Sequence, residues 1–204
     1  MSKNMQIKYP FLYDILLFPF ELMLIRSWRR CLWTRLPGLR VLEVGAGTGL
    51  NIPFYGKERQ VTALDIGKSG LQRAKRRADK TAVQVDFIQG NAEALPFPGE
   101  SFDAVAATFL FCSIENPRCG LAEMQRVLRP GGTLLLLEHV RAAGLLGKIM
   151  DIFSAPIYRL FNEHIARETD KLVRQSGFVN ITVMPLFFDL VKLIRAEKPT
   201  DTKI

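Results

Sequence analysis

The sequence predicts an α/β fold: a doubly wound, mostly parallel sheet of about seven strands, with the last strand antiparallel and a helical lid at the N-terminus. Two observations predict it. Short apolar runs alternate with helical segments through the middle of the chain, which is typical of a parallel sheet covered by helices on both faces. The first of these runs, Arg40–Val44, leads directly into the glycine-rich turn Gly45-Ala46-Gly47-Thr48-Gly49.

The first forty residues are expected to form one or two helices, and their most apolar stretch is Tyr9–Ile25. This stretch is shorter than the ~20 apolar residues of a membrane-spanning helix, and Asp14 and Glu21 interrupt it. Two interpretations stay open. The segment is either a lid packed over the ligand site or a helix that lies in a membrane interface through residues 9–33. In the second case the side chains at headgroup level would be Arg26, Trp28, Arg29, Arg30 and Trp33.

Four further strands and two helices are expected before residue 140. The predicted strands are Val61–Asp65, Val83–Ile88, Phe102–Thr108 and Thr133–Leu137. The predicted helices are Lys68–Lys80 and Gly120–Leu128, the second of which is ended by Pro130-Gly131-Gly132.

Helical spacing continues through Ala143–Phe161 and Glu163–Ser176, and Gly177 is placed to end the last helix. Two final strands, Val179–Pro185 and Leu190–Ala196, complete the predicted sheet. We therefore expect an N-terminal lid at residues 1–38 and a main domain at residues 39–204, with a helical cap insertion at about residues 141–176.

Charge and cysteine content narrow the classes of function. The net charge is +8, but residues 1–40 hold seven basic against two acidic residues, whereas residues 41–140 are neutral. A basic, aromatic N-terminal segment fits an anionic membrane surface as readily as RNA. Three cysteines and two histidines without ligand-like spacing predict no metal site and a reduced, cytoplasmic location, with the inner face of a membrane as the place of any peripheral contact.

The glycine turn and Asp65 together indicate a cofactor that contains adenosine. Glycines let a ligand lie against the backbone, and an acid at the end of the second strand accepts hydrogen bonds from ribose hydroxyls. Dinucleotide sites favour G-x-G-x-x-G, whereas the spacing here is G-x-G-x-G, with Leu50 in the place of the third dinucleotide glycine. No Lys or Arg is placed nearby in the sequence for phosphate charge, so a cofactor without phosphate is favoured.

This turn resembles the first motif of class I S-adenosylmethionine (SAM)-dependent methyltransferases, which have a Rossmann-like fold. Four further stretches resemble the family's motifs in the same order: Val61–Asp65, Gly90–Phe97, Phe102–Val105 and Arg126–Gly132. Within the class, Thr108–Ile114 and Leu137–Val140 look most like the membrane-associated alkyl thiol methyltransferases. The ubiquinone/menaquinone C-methyltransferases and the bacterial phospholipid N-methyltransferases are close in pattern.

The resemblance implies SAM as cofactor, S-adenosylhomocysteine as product and a set of binding residues. Glu43 would position the amino group of SAM or the loop, and Asp65 would hold the ribose. Asn91 would face the adenine amino group, although the family often has Asp there; the amide oxygen can still accept a hydrogen bond. The methionine part would lie against Gly45, Ala46, Gly47 and Gly49, the adenine against Ile66 and Ala92, and the methyl group near Thr108 and Phe109.

Simpler interpretations stay open for several of these residues. Asp65 could cap a helix, Asn91 could belong to an ordinary turn, and core packing explains Phe109 as readily as cofactor contact. His139, after the fifth strand, is the candidate to take a proton from the acceptor, with a purely structural histidine as the alternative. His164 is assigned to a surface or a helix cap.

The expected reaction is direct in-line transfer of a methyl group to a small lipophilic acceptor: a thiol, a phospholipid amine or a quinol. A nucleic-acid methyltransferase is the first rival hypothesis. Base-amino methyltransferases carry Asn/Asp-Pro-Pro-aromatic after the fourth strand, where this chain has Thr108-Phe109-Leu110-Phe111, so no nucleic-acid partner is expected. Two more hypotheses stay open: a non-catalytic SAM-binding protein at a membrane and a nicotinamide dehydrogenase.

Overall fold

The computed structural model describes residues 24–142, 144, 147–148, 150–152, 167–187 and 189–200. The strands within these residues are β1 (Arg40–Val44), β2 (Gln60–Asp65), β3 (Val85–Gln89), β4 (Phe102–Thr108), β5 (Leu128–His139), β6 (Val179–Phe187) and β7 (Val191–Glu197). The helices are α1 (Arg26–Arg35), α2 (Lys68–Ala78), α3 (Pro117–Val127) and α4 (Thr169–Arg174), with a short 3₁₀ helix at Ile52–Phe54.

The strands form one sheet in the order β3-β2-β1-β4-β5-β7-β6. Strands β1 to β5 pair in parallel, and β7 runs antiparallel between β5 and β6. The predicted doubly wound, mostly parallel sheet with an antiparallel last strand is therefore confirmed. The chain changes direction across the sheet between β1 and β4, and the carboxyl ends of strands at such a point are where open α/β sheets bind ligands.

Apolar clusters cover both faces of the sheet. On one face α3 contributes Leu121 and Met124 to a cluster that includes Val105 and Leu136. On the other face a second cluster joins residues of α1 and α2 to alternate residues of the same strands: Leu32, Trp33, Leu36, Val41, Ala74, Ala78, Ala104 and Leu135 among them. All seven residues of β4 are buried, as the sequence predicts for a central parallel strand.

Helix α1 packs against the sheet through one face. Leu32 and Trp33 are fully buried, and the Trp33 ring lies 4.2 Å from that of Tyr55. Arg29 on the same helix is 5% exposed. The side chains of Arg29 and Trp33 therefore cannot lie at headgroup level, because the protein core already surrounds them; this part of the interfacial prediction is wrong. Residues 1–23 and His164 lie outside the described residues, as does most of Ala143–Phe161.

Several element boundaries differ from prediction by a few residues, and two of the differences have clear causes. Helix α3 begins at Pro117, because the Asn116 side chain accepts a hydrogen bond from the Cys119 N–H (3.2 Å) and so caps the helix before the proline. Strand β5 begins at Leu128, since Leu128 pairs with Phe102 before a register shift. Within the residues that the structure describes, no helix is long and apolar enough to cross a membrane.

Candidate cofactor site

Two adjoining cavities lie at the carboxyl ends of β1, β2 and β4. The first cavity, about 150 Å³, is bounded by α1, the glycine turn, the end of β2 and the segment after β4. The second cavity, about 260 Å³, extends from there to the turn that follows β3. Both share five lining residues, so they form one continuous cleft: Gly45, Asp65, Ile66, Leu110 and Ser113.

The glycine turn is fixed to β2 and leaves an open surface toward the first cavity. The N–H groups of Gly45 and Ala46 both donate to the Leu64 carbonyl, at 2.8 and 3.0 Å. Gly47 has φ +54°, and a Cβ placed on it would meet no atom within 4 Å. Gly49, with φ +80°, serves the packing of a helix instead. A Cβ there would lie 2.9 Å from the Ala74 Cα, so its absence lets α2 approach the turn.

Asp65 joins the glycine turn to the start of α2. Its two carboxylate oxygens accept hydrogen bonds from the N–H groups of Gly47 and Gly67, each at 2.7 Å. Burial raises the pKa of Asp65, and the two N–H donors oppose that rise. A carboxylate offers about four acceptor positions, so Asp65 can hold the turn and still accept from a ligand in the cleft.

A buried hydrogen-bond network of polar side chains lies next to the glycine turn. The Asn51 amide N–H₂ donates to a Glu43 carboxyl oxygen and to the Thr108 hydroxyl (3.0 Å), and the Tyr55 hydroxyl donates to the other Glu43 oxygen. Burial raises the pKa of Glu43 to about 7, while the Asn51 hydrogen bond and the charge of Arg29 oppose the rise. Glu43 lines neither cavity; it contacts Asn51, which lines the first.

The segment after β4 begins with a strained residue. Phe109 has φ +51°, a conformation that bulky side chains seldom adopt and that is concentrated at functional sites. Its ring stacks on His139, with centroids 4.7 Å apart, and the Arg29 guanidinium carbon lies 5.9 Å from the ring centroid. Burial lowers the pKa of His139, so its imidazole is neutral at neutral pH. His139 itself lines neither cavity.

Glu138, which the sequence analysis did not single out, holds this segment in place. One oxygen of its fully buried carboxyl accepts from the N–H groups of Leu110 (2.8 Å) and Phe111 (3.3 Å). The other oxygen has no hydrogen-bond partner among the described residues. Burial raises the pKa of Glu138 to about 8, against the lowering effect of the two N–H groups and of the charge on Arg167.

The second cavity is lined by the turn that follows β3. Asn91 and Ala92 lie in its wall, as do Ile114 and Glu115 from the segment after β4. The Asn91 side-chain oxygen accepts from the Glu93 N–H at 2.9 Å, which makes it a turn residue as well. A carbonyl oxygen has two lone pairs, so the same atom can accept from a ligand amino group.

The structure brings most of the predicted residues to one cleft. Glu43, Gly49 and His139 do not line it. Glu43 and His139 contact lining residues, Asn51 and Phe109, whereas Gly49 lets α2 approach the glycine turn. The predicted residues that line the cleft are Gly45, Ala46, Gly47, Asp65, Ile66, Asn91, Ala92, Thr108 and Phe109. Residues of the lining that sequence analysis missed include Arg29, Asn51, Leu110 and Ser113.

Comparison with solved structures places this fold among the Rossmann-like methyltransferases. A SAM-dependent methyltransferase from Thermotoga maritima superposes with a TM-score of 0.76 at 21% identity, over 97% of this chain and 100% of that chain. A phosphoethanolamine N-methyltransferase from Haemonchus contortus, solved with SAM, gives a TM-score of 0.70 at 17% identity, over 85% of this chain and 53% of that chain. These similarities establish the fold.

Sequence comparison establishes the family. The family model described as "Methyltransferase domain" matches residues 42–136. The ubiquinone/menaquinone biosynthesis C-methyltransferase of Shewanella pealeana is 35% identical over 173 residues, which cover 80% of this chain and 67% of that protein. The protein of the same description from Methylobacterium nodulans is 35% identical over 202 residues, covering 83% of this chain and 79% of that protein. The chain belongs to the class I SAM-dependent methyltransferases, and SAM is its cofactor.

Proposed function

We propose that the chain transfers a methyl group from SAM to a small lipophilic acceptor, and that a quinol is the first acceptor to test. The observation that carries the proposal is the lining of the first cavity, to which the segment after β4 contributes Phe109 and Leu110. An apolar and aromatic wall favours an apolar acceptor over a charged polymer. The descriptions of the two curated relatives, as ubiquinone/menaquinone C-methyltransferases, support the choice of a quinol.

The cleft residues fit a cofactor that carries a nucleoside but no phosphate. Asp65 would accept hydrogen bonds from the ribose hydroxyls, in addition to the two from the backbone that it already accepts. The open space at Gly47 would take the methionine part close to the backbone. Asn91 and Ala92, in the second cavity, would take the adenine edge through a side-chain oxygen and a backbone N–H.

When bound, SAM supplies an electrophilic methyl group on a sulfonium. The chain contributes alignment and exclusion of water, because the segment after β4 lines the first cavity with Thr108, Phe109 and Leu110, none of which carries a charge. His139 acts by supporting the Phe109 ring, since its own ring lies outside the cavity lining. Proton transfer to a neutral His139 imidazole is the competing hypothesis, and it would require an acceptor that displaces Phe109.

We also propose a peripheral contact between helix α1 and an anionic membrane surface. Leu24, Arg26 and Arg30 are exposed, and half-buried Trp28 packs on Phe187, which is 38% exposed, with ring centroids 6.0 Å apart. Exposed apolar and basic side chains in and beside one helix favour an anionic interface. Flotation of the intact chain with phosphatidylserine vesicles, compared with Leu24→Glu, tests the contact: the variant should float less, and equal flotation would count against it.

The acceptor is tested by incubating the intact chain with methyl-labelled SAM and three acceptors: a demethylated quinol, an alkyl thiol and phosphatidylethanolamine. We expect label in the quinol, and none when Asp65→Ala replaces the wild type. Label found only in the thiol or the phospholipid would support a lipophilic acceptor but contradict the choice of a quinol. SAM binding without any product would favour a non-catalytic SAM-binding protein. Tight, salt-sensitive RNA binding would favour a nucleic acid as the methyl acceptor.

A further inference from the structure

The positive charges of the chain are concentrated in residues 24–80. This stretch holds thirteen Lys and Arg against four Asp and Glu, whereas residues 81–140 hold three against seven. Helices α1 and α2 carry nine of the thirteen basic residues and none of the four acids. The neutral total of residues 41–140 therefore combines a basic part with an acidic part. A macromolecular partner of the basic part must be negatively charged.

Helices α1 and α2 lie on the same face of the sheet. Both contribute to one apolar cluster, α1 through Leu32 and Trp33 and α2 through Ala74 and Ala78. Both also contact the 3₁₀ helix Ile52–Phe54. Their exposed basic side chains therefore belong to one side of the molecule, which we call the basic face. The basic face is formed by Arg26, Arg30, Arg35, Lys68, Lys75 and Arg76.

Helix α2 is amphipathic, and its outer side carries charges of one sign. Leu71 and Ala74 are buried against the sheet, whereas Lys75 and Arg76 are exposed. The helix Lys68–Ala78 contains no acid, so no ion pair within the helix can offset the repulsion between its like charges. An anionic surface against this side of the helix would offset that repulsion.

The surroundings of the basic face favour a lipid surface over RNA. Leu24, two residues before α1, is 38% exposed, and membrane interfaces accept apolar side chains beside basic ones. Unpaired RNA bases, in contrast, stack on open aromatic rings. The half-buried Phe54 ring has the guanidinium carbons of Arg26 and Arg30 at 6.0 and 5.8 Å from its centroid. This ring is therefore already in contact with cations of the chain itself.

We propose that the basic face docks on an anionic lipid bilayer, with α2 as a second contacting helix beside α1. The proposal rests on the membrane contact proposed for α1 and extends it to a helix from another part of the sequence. Gly67, Ser69 and Gly70, at the start of α2, line the first cavity. Docking through α2 therefore brings the cofactor site close to the bilayer in which a lipophilic acceptor dissolves. Helix α3, on the opposite face of the sheet, then faces away from the bilayer.

Flotation of the intact chain with phosphatidylcholine vesicles, with and without phosphatidylserine, tests the docking. The wild type should bind the mixed vesicles and should be released at high salt. Lys75→Gln/Arg76→Gln should bind at least about tenfold more weakly, because each basic residue near an anionic surface contributes roughly fivefold. Both residues line neither cavity of the cleft, so this double variant should keep the wild-type affinity for S-adenosylhomocysteine.

Arg118→Gln/Arg174→Gln is the matched control. It removes the same number of charges from exposed residues of α3 and α4, which pack on the opposite face of the sheet. Charges on that side are distant from a docked bilayer and screened by salt, so vesicle binding should stay within about twofold of the wild type. Equal weakening by the two double variants would overturn the proposal, because net charge alone would then explain the binding.

Two cysteines report which side of the molecule faces the vesicle. Cys31 is half-buried on α1, and Cys119 is exposed on α3. In vesicle-bound protein, alkylation of Cys31 by a water-soluble maleimide should slow, while alkylation of Cys119 should keep its rate. Peptide mass analysis measures the two rates separately. Any other pattern in bound protein would overturn the proposed orientation.

The remaining outcomes separate this proposal from those before it. If Leu24→Glu floats less but Lys75→Gln/Arg76→Gln floats like the wild type, the contact of α1 stands and the docking of α2 is overturned. Binding to RNA without binding to vesicles would overturn both membrane proposals. Failure to bind either would do the same, while methyl transfer is measured independently. Should the double variant not fold, Arg76→Gln compared with Arg174→Gln should show about a fivefold loss, and equal binding would contradict the proposal.

Discussion

The Phe109 ring stacks on the imidazole of His139, with centroids 4.7 Å apart and an interplanar angle of 25°. Phe109 reaches this position through a left-handed backbone conformation, and its N–H donates to the Leu137 carbonyl at 2.8 Å. The pair connects the segment that lines the cavity to the end of β5. The cavity segment after β4 is therefore fixed by contacts with β5, in addition to the glycine turn that lines the same cavity.

This stacking predicts that an aromatic ring can replace the histidine. His139→Phe should retain methyl transfer to within about threefold and keep the pH profile of kcat, because the support for Phe109 survives. His139→Ala should lose more, chiefly through KM, since Phe109 loses its neighbour. Steady-state kinetics over a range of pH check both variants. A loss of about a hundredfold or more in kcat for His139→Phe would instead indicate general-base catalysis by His139.

The buried carboxyl of Glu138 predicts a dependence of stability on pH. Burial raises its pKa from 4.5 to about 8, so the folded protein holds this proton where the unfolded chain releases it. The sign follows: this contribution to stability is fully present below about pH 4.5 and is lost as the pH rises through about 8. Glu138→Gln removes the titrating group, so the variant should lose less unfolding free energy than the wild type between these values.

Urea unfolding at about pH 5 and about pH 9 measures that difference. Glu58→Gln, which changes an exposed acid that lines neither cavity, is the control and should follow the wild type. An identical loss in Glu138→Gln and the wild type would contradict the raised pKa of Glu138. Glu43, with its pKa raised to about 7, keeps a smaller loss of the same sign in both proteins.

Alanine substitutions at two glycines of the turn should have different effects on stability and on SAM binding. Gly47→Ala adds a methyl group where no atom lies within 4 Å, so the fold should lose only about 1–2 kcal/mol from the left-handed backbone while SAM binding weakens. Gly49→Ala places a methyl group 2.9 Å from the Ala74 Cα, so the main loss should be in unfolding free energy. Thermal unfolding and calorimetry separate the two effects.

Gly99→Ala is the control for this pair, because a Cβ there would make only an ordinary contact at 3.4 Å. It should change neither stability nor SAM binding by much. If Gly47→Ala bound S-adenosylhomocysteine as tightly as the wild type does, the open space at Gly47 would not be the place of the cofactor.

Asn91 stands where the family often has Asp, so Asp is the natural residue to test at this position. Asn91→Asp should bind S-adenosylhomocysteine at least as tightly as the wild type, because a carboxylate accepts from the adenine amino group and can still accept from the Glu93 N–H. Asn91→Ala should bind several-fold more weakly, by roughly the 0.5–1.5 kcal/mol of one hydrogen bond. Calorimetric affinities that are equal in all three proteins would leave Asn91 as a turn residue alone.

Local patterns predicted the sheet well. Strands β1 and β4 begin and end as expected, because a continuous apolar run bounded by turn residues indicates a buried parallel strand without reference to distant residues. The start of β5 was missed because it depends on pairing with Phe102 across a register shift, which the sequence of β5 does not reveal. The start of α3 could have been predicted from the Asn116-Pro117 pair alone.

The cofactor motifs were predictable because their residues are adjacent in sequence, whereas the residues that support them are not. Arg29 reaches the cavity only because α1 packs beside the glycine turn. One signal was available: Arg29 shares helical spacing with Leu32, Trp33 and Leu36, which places a charge on the apolar face of α1. Glu138 had a comparable signal, as an acid at the end of the apolar run of β5.

We propose above all that the carboxylate of Asp65 and the glycine turn bind the nucleoside of SAM. Calorimetric titration of the wild type, Asp65→Ala and Asp86→Ala with S-adenosylhomocysteine tests it most directly; Asp86 is an exposed acid on neighbouring β3 that lines neither cavity. We predict binding by the wild type and Asp86→Ala, and a loss of at least about tenfold in affinity for Asp65→Ala. Folded Asp65→Ala that binds as tightly as the wild type, or a folded wild type that releases no heat, would contradict binding of the nucleoside by Asp65.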